Sequence, residues 1–184
     1  AVYIYDIKTF SLVNVITVGE NTITSFSVSP VDENILVIGC VTGLVCCYDL
    51  STQRIINTTQ IPPSQAAIML CDQFDANICV MIGRRENELN KVHSWVYRKE
   101  EACSSAILRH KLLEFKSGTN INVARWHPSI RSYLALGCST GELYLFNYAE
   151  STKKIFTVKD HPFSPVVDIQ WDRLSSVYIL VAYT

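Results

Sequence analysis

Short apolar-rich runs alternate with polar turns along the whole chain, and the three-to-four spacing of an amphipathic helix is nearly absent. The runs repeat. Ile23-Thr-Ser-Phe-Ser-Val-Ser-Pro30 lies over Ile121-Asn-Val-Ala-Arg-Trp-His-Pro128, and Val166-Val-Asp-Ile-Gln-Trp-Asp-Arg173 has the same shape. A second apolar run follows each at a similar distance, from Ile35 to Cys40, from Tyr133 to Cys138 and from Tyr178 to Tyr183. The strongest match comes next, where Gly39-Cys-Val-Thr-Gly-Leu-Val-Cys-Cys-Tyr-Asp-Leu50 overlays Gly137-Cys-Ser-Thr-Gly-Glu-Leu-Tyr-Leu-Phe-Asn-Tyr148.

Each unit reads as strand, turn, strand, Thr-Gly turn, strand, polar turn, strand, with β-branched or aromatic enrichment in every run. First strands open near residues 23, 68, 121 and 166, about 45, 53 and 45 apart, close to the ~40–45 residues of a four-stranded propeller blade. The fold class is therefore all-β, a β-propeller of four-stranded antiparallel blades. The phase places a half blade at 1–20, a blade at 21–64, a divergent blade at 65–118, a blade at 119–163 and a half blade at 164–184. Starting and stopping mid-blade, it is expected to be a segment of a larger ring rather than a closed ring of four. In the divergent unit, strands are expected from Ala67 to Cys71, Ile78 to Gly83 and Lys91 to Tyr97. Its excess length falls in 84–90 and 98–110, read as surface loops.

The repeat resembles the WD-repeat family over essentially the whole chain. The family's closing Trp-Asp dipeptide corresponds to Tyr5-Asp6, Tyr48-Asp49 and Phe146-Asn147, its Gly-His survives only as Asp160-His161, and Ser29-Pro30 and His127-Pro128 recur in phase. The resemblance implies a non-catalytic scaffold that binds other proteins through loops on one propeller face. It also implies that the second-to-third-strand turn, where the family often places an Asp, has a network that is absent or rebuilt here, since Thr42-Gly43 and Thr140-Gly141 stand there. The two glycines are expected to supply the positive φ of a tight turn.

Composition narrows the partners. Sixteen basic and seventeen acidic residues leave a net charge of −1, so no broad field attracts a phosphate backbone. No apolar run approaches the ~18–20 residues of a membrane span. The seven cysteines are odd in number and lie mostly in apolar runs, which predicts buried thiols in a reducing, cytoplasmic setting, with the nucleus open. No leader-like segment is visible.

Catalytic, cofactor and metal sites are not expected. His127, Asp168 and the serines suggest a hydrolase, yet no Gly-x-Ser-x-Gly elbow is present and these residues fall at strand ends set by the repeat. Cys46 and Cys47 point to opposite faces of a strand, without a Cys-x-x-Cys. No glycine pattern suits a nucleotide. Trp126 and Trp171 read as packing residues. The candidate partner-binding loop is Arg84, Arg85, Glu86 and Glu88 with Trp95, where Arg and aromatic side chains can anchor an interface. An RNA-binding propeller is the alternative. It would need Arg54, Arg84, Arg85, Arg125 and Arg131 on one face, whereas the repeat disperses them.

Overall fold

The computed structural model describes residues 1–30, 32–60, 65–71, 78–84, 91–96, 108–114, 119–147, 149–150, 152–157, 164–175 and 177–184; for 65–67, 78–84, 91–96 and 108–114 it describes the backbone only. The strands are β1 (Val2–Asp6), β2 (Ser11–Ile16), β3 (Ile23–Val28), β4 (Ile35–Cys40), β5 (Leu44–Asp49), β6 (Arg54–Gln60), β7 (Gln65–Cys71) and β8 (Ile78–Arg84). They continue as β9 (Lys91–Val96), β10 (Leu108–Glu114), β11 (Ile121–Trp126), β12 (Tyr133–Cys138), β13 (Leu143–Asn147), β14 (Thr152–Phe156), β15 (Val166–Trp171) and β16 (Ile179–Tyr183). All pairing is between sequence neighbours and antiparallel. It gives four-stranded sheets β3-β4-β5-β6, β7-β8-β9-β10 and β11-β12-β13-β14, flanked by two-stranded sheets β1-β2 and β15-β16.

Three strands of the divergent unit differ from the sequence reading. The first begins at Gln65, the second runs on to Arg84, which was expected in the loop, and β10 occupies Leu108 to Glu114, so residues 108–110 belong to a strand and not to a loop. An outermost strand gives little apolar signal, as β14 shows, since every residue of Thr152–Phe156 is exposed. Central strands give the opposite signal. β4 is buried at every position and β5 at all but the first, because both faces are covered by neighbouring sheets.

Each first strand carries one β-bulge at the same place, at Thr24, Ala67, Asn122 and Val167. A bulge adds a residue to one strand and increases local twist. Its fourfold recurrence shows that the sequence repeat is also a repeat of backbone geometry.

Sheets stack in chain order. Val2, Ile16 and Val18 pack on Leu36, Ile38, Cys40, Cys46 and Tyr48. Ile68 and Leu70 pack on Ile121, Ala124, Leu134 and Leu136. Val123, Ala135 and Leu143 pack on Val166 and Ile169. First strands meet side by side, β3 on β7, β7 on β11 and β11 on β15. Each is the edge of its sheet, with backbone groups that need partners. Side chains supply them: Met69 N–H donates to Ser25 Oγ (3.0 Å), Cys71 N–H to Ser27 Oγ (2.9 Å), and Asn122 Nδ2 to Val166 O (3.0 Å).

At the end of the sheets where third strands finish, short polar side chains close the turns. Asp6 Oδ1 accepts from the N–H groups of Lys8 (2.7 Å) and Thr9 (3.2 Å), Asp49 from Ser51 (2.8 Å) and Thr52 (3.4 Å), and Asn147 from Ala149 (3.1 Å) and Glu150 (3.3 Å). Asp172 does the same after β15 for Leu174 and Ser175. The acid or amide that recurs in the sequence repeat is therefore an Asx-turn acceptor.

Candidate functional site

The second strands β4, β8, β12 and β16 end at Cys40, Arg84, Cys138 and Tyr183, all at the same end of their sheets. The rim there is built from the β4–β5 and β12–β13 turns and from the residues before β3, β11 and β15. Gly43 N–H donates to Cys40 O (3.0 Å) and Gly141 N–H to Cys138 O (3.1 Å), with φ of +80° and +82° at the two glycines. Side chains with Cβ rarely adopt that region.

Polar groups on this rim hold one another. Thr42 Oγ1 donates to Asn21 Oδ1 (2.7 Å), and Gln60 Nε2 to Thr42 O (2.7 Å), which joins two loops and the end of β6 in one sheet. In the equivalent turn Glu142 Oε2 accepts from Thr140 Oγ1 (3.2 Å) and Tyr144 Oη (2.9 Å), while Asn120 N–H donates to Ser139 Oγ (3.0 Å). Burial, then the Glu142 hydrogen bond, raises the Tyr144 phenol above its ordinary range, so the O–H stays a donor. Thr42 and Thr140 thus anchor local networks at the two equivalent turns.

Arg84 ends β8 at this rim, and Gly83 pairs with Lys91. Arg85, Glu86 and Glu88 lie outside the described residues. Trp95 pairs with Cys79 and Leu108, four residues further along β9 than Lys91, which is about 13 Å at ~3.3 Å per residue. Arg84 and Trp95 thus occupy opposite ends of one sheet.

Three other arginines that an RNA-binding face would need stand away from the rim. Arg54 opens β6, Arg125 lies near the end of β11, and Arg131 sits in the turn before β12, all toward the end opposite Arg84. Arg125 Nη2 meets Asp168 Oδ1 at 3.2 Å, both half-exposed.

His127 and Asp168 are occupied structurally. His127 is 3% exposed, and its Nδ1 accepts from the N–H groups of Ser129 (3.1 Å) and Ile130 (2.9 Å). Its ring packs on Trp171 with centroids 4.4 Å apart. Asp168 accepts from its neighbour Ile169 N–H (2.8 Å), the main reason its carboxyl titrates below the ordinary range. Asp160 and His161 lie outside the described residues. Among the described residues no group of three His, Cys, Asp or Glu could hold a metal ion, and no helix is long and apolar enough to cross a membrane.

Cys40, Cys46, Cys47 and Cys138 are fully buried thiols. Burial pushes Cys46, Cys47 and Cys138 up to about 12. Trp126 and Trp171 pack against the cores on either side of β11. The sequence reading did not single out Asn21, Gln60, Glu142 or Tyr144, because single polar residues beside turns carry no motif.

No family model matches the chain. No curated protein matches it either. Among solved structures it is similar to the β-propeller domain of Cps50 (Swd1) from Myceliophteria thermophila, at 12% sequence identity and a TM-score of 0.70. The match covers 98% of this chain and 55% of that one, so the chain spans about half the length of the propeller it resembles. With its stacked antiparallel four-stranded sheets, the chain has the fold of a β-propeller arc.

Proposed function

We propose that the chain is part of a WD-repeat propeller serving as a non-catalytic scaffold for protein–protein contacts in an intracellular, cytoplasmic assembly. The observation that carries this reading is the rim. Loops of successive sheets emerge together from stacked strands, and their polar groups are fixed by one another at Thr42, Asn21 and Gln60 and at Thr140, Glu142 and Tyr144. Loops held this way lose little conformational freedom on binding, which favours a docking surface. The WD-repeat part is supported by Asp6, Asp49 and Asn147, which close turns where the family's dipeptide ends. Buried thiols at Cys40, Cys46, Cys47 and Cys138 support a reducing compartment. Arg84 and Arg85 are the proposed rim anchors, flanked by Glu86 and Glu88, and Trp95 is assigned to a separate contact at the other end of the sheet.

The test is affinity purification of the full-length protein after RNase treatment, comparing wild type with R84A/R85A and with W95A. Proteins retained by wild type and lost by R84A/R85A support the scaffold and the rim. Loss confined to W95A moves the site to the opposite face. Identical protein sets in all three samples refute the site, and bound material that disappears with RNase replaces the reading by RNA binding.

A further inference from the structure

Cys71 and Cys79 are Cα partners across β7 and β8. The Cys71 N–H donates to Ser27 Oγ of β3 at 2.9 Å and so turns away from β8. In an antiparallel ladder that direction marks a non-hydrogen-bonded pair, the kind whose Cα atoms approach most closely, to about 4.5 Å. A disulfide closes over Cα separations of roughly 4.4–6.8 Å.

The same pair position in the other sheets with a first and second strand holds Val28 with Leu36, Trp126 with Leu134, and Trp171 with Ile179. Those are bulky apolar pairs suited to a stacked sheet. The divergent sheet exchanges both partners for cysteines.

We propose that Cys71 and Cys79 form a reversible cross-strand disulfide, a redox modification site that staples the β7–β8 hairpin under oxidising conditions. The oxidant belongs to the class of low-molecular-weight disulfides, such as oxidised glutathione. One protein thiolate attacks a sulfur of the oxidant, which gives a mixed disulfide and releases one glutathione thiolate. The second protein thiolate attacks the protein-side sulfur, closing the bond and releasing the other glutathione. Two protein thiols lose two protons and two electrons, and the oxidant's S–S bond becomes two thiols.

Burial raises Cys40 and holds Cys46, Cys47 and Cys138 protonated, and the thiolate is the reactive form. Cys71 is buried as well, so selectivity rests on its pairing with Cys79 across β7 and β8. Closure has a structural consequence. In the reduced chain the Cys71 thiol donates to Ser27 O at 3.7 Å, a link between β7 and β3. Oxidation removes that proton, exchanging a contact between sheets for a covalent bond within one. Cys79 is also the register partner of Trp95, so the staple adjoins the strand that carries the second proposed contact.

The experiment uses the full-length protein equilibrated in glutathione buffers from fully reduced to strongly oxidised, quenched in acid, alkylated under denaturing conditions, digested and read by mass spectrometry. A peptide joining Cys71 and Cys79 should rise with oxidised glutathione, at least about tenfold above any other pairing, as both alkylated forms fall together. In C79S, Cys71 should go no further than a mixed disulfide with glutathione, and in C71S the same holds for Cys79. Circular dichroism on each sample verifies that the sheets persist. Absence of the linked peptide at every ratio in folded protein overturns the proposal, as does pairing of Cys71 with Cys47 in its place.

Discussion

Replacing Gly137 by alanine adds one methyl group where β12 faces β15. Gly137 pairs with Val123 on one side and Leu143 on the other, and the Val166 side chain of the next sheet lies directly over it. A Cβ there would overlap Val166 Cγ1 and stand 2.8 Å from Val123 Cγ1 and 2.9 Å from Val166 Cβ. Two effects oppose each other. Alanine in a strand is favoured over glycine by roughly 0.5–1 kcal/mol through lost unfolded-state freedom. Overpacking a fixed core costs about 1–3 kcal/mol. Val166 is fully buried and the obstruction is its branch point rather than the far end of a flexible chain, so the second effect wins. G137A should lose on the order of 1–2 kcal/mol. V166A alone removes two buried methyl groups and should cost about 2 kcal/mol. In the double variant the new methyl enters the space vacated by Val166, so the combined loss should fall short of additivity by about 1 kcal/mol or more. Urea unfolding monitored by tryptophan fluorescence measures all three, because Trp171 packs in the same cluster. A neutral or stabilising G137A, or additivity within ~0.5 kcal/mol, would refute the stacking of these two sheets.

G141A places a Cβ at φ +82° and should lose about 1 kcal/mol, whereas G141N should lose less, checked by the same unfolding midpoints. Cys46, Cys47 and Cys138, at about 12 against an ordinary 9.0, should react with iodoacetamide about 1,000-fold more slowly than an exposed thiol until the chain is unfolded, which timed alkylation with mass spectrometry reads. Asp6 is lowered below 3.8, chiefly by the Lys8 N–H, and Asp172 chiefly by the Ser175 hydroxyl. Their folded values lie below their unfolded ones, so their contribution is complete above pH 3.8 and is lost as pH falls through the lowered folded values. The pH dependence of stability in that acid window should therefore be shallower in D6N than in wild type, measured by unfolding at graded pH.

The propeller was legible because a blade repeats. Ile23, Ile121 and Val166 open strands of equal register, and Gly-Cys-x-Thr-Gly marks the same turn twice. Runs such as Ile35 to Cys40 announced strands buried on both faces. The bulges were not legible, since Thr24, Ala67, Asn122 and Val167 share no chemistry; twist and register select the position, not the residue type. A four-stranded unit was expected over 65–118, but the place of β10 was not read because an outer strand needs only backbone partners and leaves its side chains free to be polar. The link between neighbouring inner edges also escaped, because Ser25 and Ser27 read as ordinary exposed positions of an alternating strand until β7 is beside them. Of the candidate site, strand order was enough to bring Arg84 to the rim, but the register of β9 places Trp95 at the far end, a separation already implied by the expected strand from Lys91 to Tyr97 although the two residues were grouped as one site.

The side-by-side packing of first strands distinguishes a propeller from other stacks of antiparallel sheets, and the Met69 and Cys71 amides report on it. Both lie on the inner edge of β7, and Ser25 and Ser27 of β3 accept their hydrogen bonds. Residue-resolved hydrogen exchange on the folded protein should find both amides protected, with S25A releasing Met69 alone and S27A releasing Cys71 alone. Rapid exchange of both amides in the wild type, or protection unaffected by either serine, would contradict the propeller arrangement.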